Sequence, residues 1–150
     1  MVKYPVRITR EGRFFLAEFP DVPEAHTSGE TKEECLRFAL EALESGFIAY
    51  MSDRKDIPAP SRIKHGADFV ELPVLAEAKV TLYQAMRQAG MRKADLARHL
   101  GWQKSQVDRL LDLRHDSRID QIEQAFAVLG KRIWIQVGEL NGSVPVNAAL

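Results

Sequence analysis

Cysteine is nearly absent. Cys35 is the only one in 150 residues, so no disulfide can close within the chain, and a reducing compartment is expected. No apolar run approaches the roughly 20 residues that a membrane span needs. The opening residues, Met1-Val2-Lys3-Tyr4-Pro5, lack the apolar stretch of a secretory signal, so a cytoplasmic location is expected and no membrane partner. His26, His65, His99 and His115 are scattered, with no paired spacing for zinc. Glu18, Asp21, Asp68 and Glu71 lie on or near expected strands, but without the converging pattern of a metal-dependent nuclease. No glycine-rich phosphate loop follows a strand. Cys35, beside Leu36 in an expected helix, reads as a small buried hydrophobe rather than a nucleophile. The sequence therefore predicts a non-enzyme with no cofactor and no metal. Repeats and low-complexity segments are absent as well.

What is present is an ordinary globular composition, 45% apolar and 28% charged, in a chain long enough for one domain or two small ones. A formal net charge of zero hides an asymmetry. Residues 1–78 hold ten Lys/Arg against fourteen Asp/Glu, and residues 79–150 hold eleven against seven. The first half is thus at −4 and the second at +4. A basic module suits a polyanion, and an acidic one suits a basic protein or plain solvation.

Val2, Tyr4, Val6 and Ile8 alternate with Lys3, Pro5, Arg7 and Thr9, the period of a half-buried strand. Arg10 to Arg13 supplies a turn, and Phe14 to Phe19 returns as a second strand. Glu24 to Ser28 is a candidate third. Thr31-Lys32-Glu33-Glu34 is a capping box that starts a helix running to about Ser52, with Leu36, Leu40, Leu43 and Phe47 on one face. Asp56 to Ser61 cannot continue it. Val70, Leu72 and Val74 alternate as a last strand, ended by Pro73. From Ala76 only helical periods occur, in four short stripes punctuated by Gly90, Gly101 and Gly130. Ile133 to Val137 then reads as a strand. The expected class is α+β. Residues 1–75 form a small sheet with one helix, residues 76–138 form an all-α domain ending in a strand, and residues 139–150 form a flexible tail.

Within the second half, Lys93 to Asp112 carries the spacing of a helix-turn-helix. Such a motif needs a small residue where the helices cross, a glycine-like turn residue four positions on, and a sealing apolar residue six beyond that. Ala97, Gly101 and Val107 stand at those positions, flanked by Leu96, Leu100 and Leu110. The exposed positions of the second helix fall at Gln103, Lys104, Ser105, Gln106, Asp108 and Arg109. Gln103, Lys104, Ser105 and Gln106 would lie near base edges or phosphates, and Arg109 could reach a guanine edge. Arg92 and Lys93 begin the first helix, where phosphates pass, and Arg114, His115 and Arg118 are candidate clamps. The plainer reading is a bundle with a solvated face, or a helix-turn-helix that serves only protein contacts. The complete spacing and the local basic excess favour DNA. Ile133, Trp134, Ile135 and Val137 are too apolar for a lone surface strand. Pairing with the same strand of a second copy would bury them and give a homodimer, and possible tetramers, suited to a two-fold operator. The alternative is packing within the chain.

Phe19-Pro20-Asp21-Val22-Pro23 followed by the capped helix from Thr31 resembles the N-terminal domain of the HicB antitoxins. Lys79 to Met86, Lys93 to Ala97 and Arg118 to Glu123 resemble the helix-turn-helix subgroup of that family. Pro23-Glu24-Ala25-His26 departs from the Pro-Gly-Cys turn frequent in that family. The resemblance implies a partial RNase H-like N-terminal fold that binds and blocks HicA, a small basic mRNA-cleaving toxin. It also implies a C-terminal domain that binds the operator DNA of its own operon. On that reading Glu18, Asp21 and Glu24, with Phe19 or Val22, are the candidate toxin contacts. In the plainer reading Phe19 and Val22 are core and the acids are solvated. A free-standing transcription regulator with a ligand-binding N-terminal domain is the alternative function.

Overall fold

Tyr4 and Val6 are buried and Ile8 is half-buried, while Arg7 and Thr9 are exposed, as alternation predicts. In the computed structural model, which describes residues 1–139, this stretch is split into two strands. β1 (Lys3–Pro5) pairs antiparallel with β5 (Phe69–Glu71), and β2 (Arg7–Glu11) pairs with β3 (Phe14–Glu18). The break falls just after Pro5, which has no N–H to give to a ladder. The Val6 N–H donates instead to Asp68 O at 3.0 Å. β4 (His26–Gly29) joins the far side of β3, so the three-stranded sheet runs β2-β3-β4.

The capped helix is α1 (Lys32–Ser52). Thr31 Oγ1 accepts from the Glu34 N–H at 3.1 Å, and the Glu34 carboxylate accepts from the Glu30 N–H at 2.7 Å. Its inward face, Cys35, Ala39, Leu40, Leu43 and Phe47, packs on β3, β4 and β5. Gly29 makes the close approach possible, because a Cβ there would lie 2.6 Å from the Cys35 backbone nitrogen. The Phe47 ring meets Tyr4 at 5.1 Å between centroids. The Tyr4 hydroxyl donates to Pro58 O at 2.7 Å, and with buried Ile57 this holds the strandless segment after α1 against the core.

The last strand ends ahead of Pro73, as expected, and Val74 falls outside it. Leu72 N–H donates the final bond, to Val2 O at 3.0 Å. Pro73 cannot add another, and Val74, 69% exposed, is the first residue of α2 (Val74–Gln88) rather than of a strand. The chain divides here into two compact units, Met1–Pro73 and one beginning at Val74. In the second unit α2 is followed by α3 (Lys93–Leu100), α4 (Lys104–Leu111) and α5 (Ile119–Val128). Leu82, Leu96, Val107, Leu110, Ile122 and Phe126 form its core.

Ile133–Val137 forms no strand in the single chain. A strand requires a hydrogen-bonding neighbour, and none of the described strands pairs with this segment. The expected tail lies outside the described residues beyond Glu139.

Candidate functional site

α3 and α4 are joined by the short turn Gly101–Gln103. Gly101 closes α3 with φ +66°, the left-handed conformation that glycine adopts without Cβ strain. The next N–H, of Trp102, returns to Ala97 O at 2.9 Å. Ala97 is buried at the crossing and Val107 is fully enclosed. The Ala-Gly-Val spacing therefore marks, in order, the crossing, the turn and the seal. At the start of α3 the Asp95 carboxylate accepts from the Arg92 N–H at 3.0 Å. That bond, and then Arg98 at 2.8 Å, hold its pKa below the usual carboxylate value.

Gln103, Lys104, Ser105, Gln106 and Arg109 are all exposed, as are Arg92, Lys93 and Arg114. They are not equally available. Gln106 Oε1 accepts from the Gln103 N–H at 2.8 Å, so Gln106 caps α4. Arg109 Nε donates to Ser105 O at 3.3 Å, the one bond of its guanidinium among the described residues. Lys93 Nζ is 2.9 Å from Asp108 Oδ1. The Arg114 backbone is held by Asp112 Oδ1 at 3.0 Å. Arg118 pairs with Asp120 at 2.8 Å.

Lys79 escaped the sequence reading as a site residue. It is 0% exposed. Its ammonium donates to Asp112 O at 2.6 Å, to Arg109 O at 3.4 Å and to His115 O. These carbonyls lie at and just past the end of α4, where helical carbonyls lack partners and a cation opposes the negative end of the dipole. Burial lowers the Lys79 pKa, with Asp112 and Asp116 pulling the other way. One signal was legible: Ala76, Lys79, Val80, Tyr83 and Met86 share the buried stripe of α2, and a lysine at core spacing needs internal acceptors.

In the first unit the expected contact residues separate into two groups. Phe19 is 2% exposed and Val22 0%, so neither side chain is offered to a partner, and both leave the candidate set. For Val22, Gly46 on α1 leaves the room, since Val22 Cγ1 lies 3.1 Å from where a Cβ would stand. Glu18 is exposed, in register with Arg7 on one side and His26 on the other. Asp21 Oδ2 accepts from the Ser61 N–H at 2.8 Å and its hydroxyl at 3.0 Å. Glu24 accepts from the Tyr50 hydroxyl at 2.9 Å. Trp134, Ile135 and Val137 are 77%, 75% and 90% exposed, and Ile133 is half-buried. Among the described residues no group of three or more His, Cys, Asp or Glu gathers as for a metal ion, and no helix is long and apolar enough to cross a membrane.

Residues 3–81 match the family model described as the HicB_like antitoxin of bacterial toxin-antitoxin systems. Antitoxin HicB 2 of Photorhabdus laumondii is 40% identical over 132 residues, covering 88% of this chain and 94% of that protein. Antitoxin HicB of Pseudomonas fluorescens is 38% identical over 138 residues, 91% and 94% of the two chains. Antitoxin HicB of Escherichia coli K12 is 37% identical over 134 residues, 88% and 96%. The chain belongs to the HicB antitoxin family. The HicB family model spans the first unit from β1 and ends within α2. The likeness to whole HicB proteins leaves only 18 of 150 residues outside a 132-residue match, so it extends well into the second unit.

Proposed function

We infer that this HicB-family chain is an antitoxin in which one unit blocks a HicA-type mRNA-cleaving toxin and the other represses its own operon. The observation that carries this reading is identity to antitoxins along most of both chains, combined with a second unit built as α3, a glycine turn and α4. Residues 1–75 form the toxin-binding domain and 76–138 the DNA-binding domain. Charge complementarity supports the first assignment. The acidic half carries Glu18 and Glu24 at its surface, with Asp21 between them, and a basic RNA-cutting protein is their electrostatic complement.

In the second unit α4 is the recognition helix of a DNA-binding helix-turn-helix. Gln103, Lys104, Ser105 and Arg109 face the bases, Gln106 fixes the helix start, and Arg92 and Arg114 lie at the backbone. Ile133, Trp134, Ile135 and Val137 pair with the same segment of a second copy. That pairing removes their exposed apolar surface and brings two recognition helices to a two-fold operator.

The test has two arms. Co-expression with the small basic protein encoded beside this gene should restore growth that the neighbour alone arrests, and Glu18→Lys with Glu24→Lys should weaken the rescue. The full chain should retard duplex DNA from upstream of its own gene, and Lys104→Ala with Arg109→Ala should abolish that with the fold intact. Failure of growth rescue overturns the antitoxin reading. Failure of retardation overturns the repressor reading alone.

A further inference from the structure

Lys93 opens α3, where the backbone of a docked duplex would pass, yet its ammonium is already engaged. Nζ lies 2.9 Å from Asp108 Oδ1 on α4. Asp108 also stands four residues after Lys104 on its own helix, a spacing at which opposite charges can pair. The carboxylate turns to α3 instead, and Lys104 has no ion pair among the described residues. One carboxylate on the outward side of α4 therefore neutralises one cation of α3 and leaves the cation of α4 open.

We propose that Asp108 is an internal counter-ion that withholds Lys93 from DNA and so limits the sequence-independent part of binding. The proposal rests on the DNA-binding reading of this motif. Phosphate contacts add affinity to every duplex alike, because each free cation releases condensed counter-ions whatever the sequence. A lysine already matched by a carboxylate releases few, and the carboxylate itself repels the phosphates. Base contacts from Gln103, Lys104 and Arg109 need neither partner. The pair thus trims a term that carries no sequence information and would otherwise hold the protein on bulk DNA.

The experiment measures affinity of the full chain against salt concentration for two duplexes: the region upstream of its own gene, and a shuffled sequence of equal length. Asp108→Ala should bind both several-fold more tightly at low salt. Its slope of log affinity against log salt should steepen by about 0.9 per bound protomer, the value of one added phosphate contact. Lys104→Ala should lower both affinity and slope. Combining Lys93→Ala with Asp108→Ala should cancel the added slope. The proposal is overturned if Asp108→Ala leaves the slope unchanged or weakens binding, or if the double variant keeps the added slope. Should Asp108→Ala fail to fold, the isosteric Asp108→Asn makes the same comparison. A wild-type chain that binds neither duplex overturns the DNA reading itself, a result distinct from an unchanged slope.

Discussion

Replacing Lys79 by methionine tests whether the end of α4 is held from inside. The two side chains have similar length, so the change removes a charge and its hydrogens with little change in volume. Three carbonyls lose a donor. Arg109 O keeps the Asp112 N–H at 3.2 Å and the Ser117 hydroxyl at 3.3 Å, and Asp112 O keeps the His115 N–H at 3.1 Å. Stranding the His115 carbonyl costs about 1–3 kcal/mol. Losing the charge-assisted bonds to the other two adds to that, while release from burying an ammonium offsets part of it. The expected net loss is about 2–4 kcal/mol. That is a large share of the roughly 5–15 kcal/mol that a domain has in total.

Urea unfolding followed by the fluorescence of half-buried Trp102, in the turn beside α4, should show the midpoint fall. The pH dependence supplies a second readout. Because burial depresses the folded pKa below 10.5, the unfolded chain binds more protons in the window between the folded value and 10.5. Stability contributed by this group therefore rises with pH across that window and is flat below it. Lys79→Met should lack this rise. An unchanged midpoint would refute the capping role. So would unchanged stability with lost DNA affinity, which would make Lys79 a phosphate ligand.

Two further predictions concern the first unit. Burial, and then the nearby Asp21 charge, push the Tyr4 phenol up to about 12. Its folded pKa is raised, so its contribution is complete below pH 10 and is lost as pH climbs towards 12, by about 2–3 kcal/mol. Tyr4→Phe should remove that alkaline loss while costing about 1 kcal/mol at neutral pH for the bond to Pro58, as read by denaturant melts at both pH values; an alkaline loss of equal size in both proteins would contradict the assignment. Gly29→Ala would put a Cβ 2.6 Å from Cys35 N and 2.9 Å from its Cα. Backbone atoms cannot swing aside, so thermal unfolding should show a loss of about 1–3 kcal/mol; a neutral outcome would mean that α1 can slide on β4.

The features legible in the sequence are those whose partners lie close along it. Thr31 and Glu34 are one turn apart, and the cap forms. Ala97, Gly101 and Val107 lie within one short motif, and each occupies the place its spacing implies. The misreadings needed a distant residue. Phe19 and Val22 were candidate contacts beside Glu18, Asp21 and Glu24, whereas both are buried, with Gly46 on α1 leaving room for Val22. The last strand stops before Pro73, as that residue's missing N–H implies, and Val74, which shares the alternation, opens α2 instead. Ile133–Val137 has the composition of a strand but pairs with none of the described strands, and a second copy is the partner proposed for it.

Charge shows the same limit. Counting gives residues 79–150 an excess of four positive charges, a modest balance that says nothing of where those charges lie. The folded second unit shows where. Lys79 is spent on carbonyls inside the core, Lys93 on Asp108, Arg98 on Asp95 and Arg118 on Asp120. Of the cations on α4, Lys104 has no ion pair among the described residues, and there Arg109 bonds only through Nε. One such helix makes few phosphate contacts, and affinity for DNA grows with their number. Weak attachment by a single copy suits the two-fold repressor proposed above. On that reading, occupancy would depend on two α4 helices meeting two half-sites together, and non-operator DNA, which offers no such pair of base contacts, would hold the protein poorly.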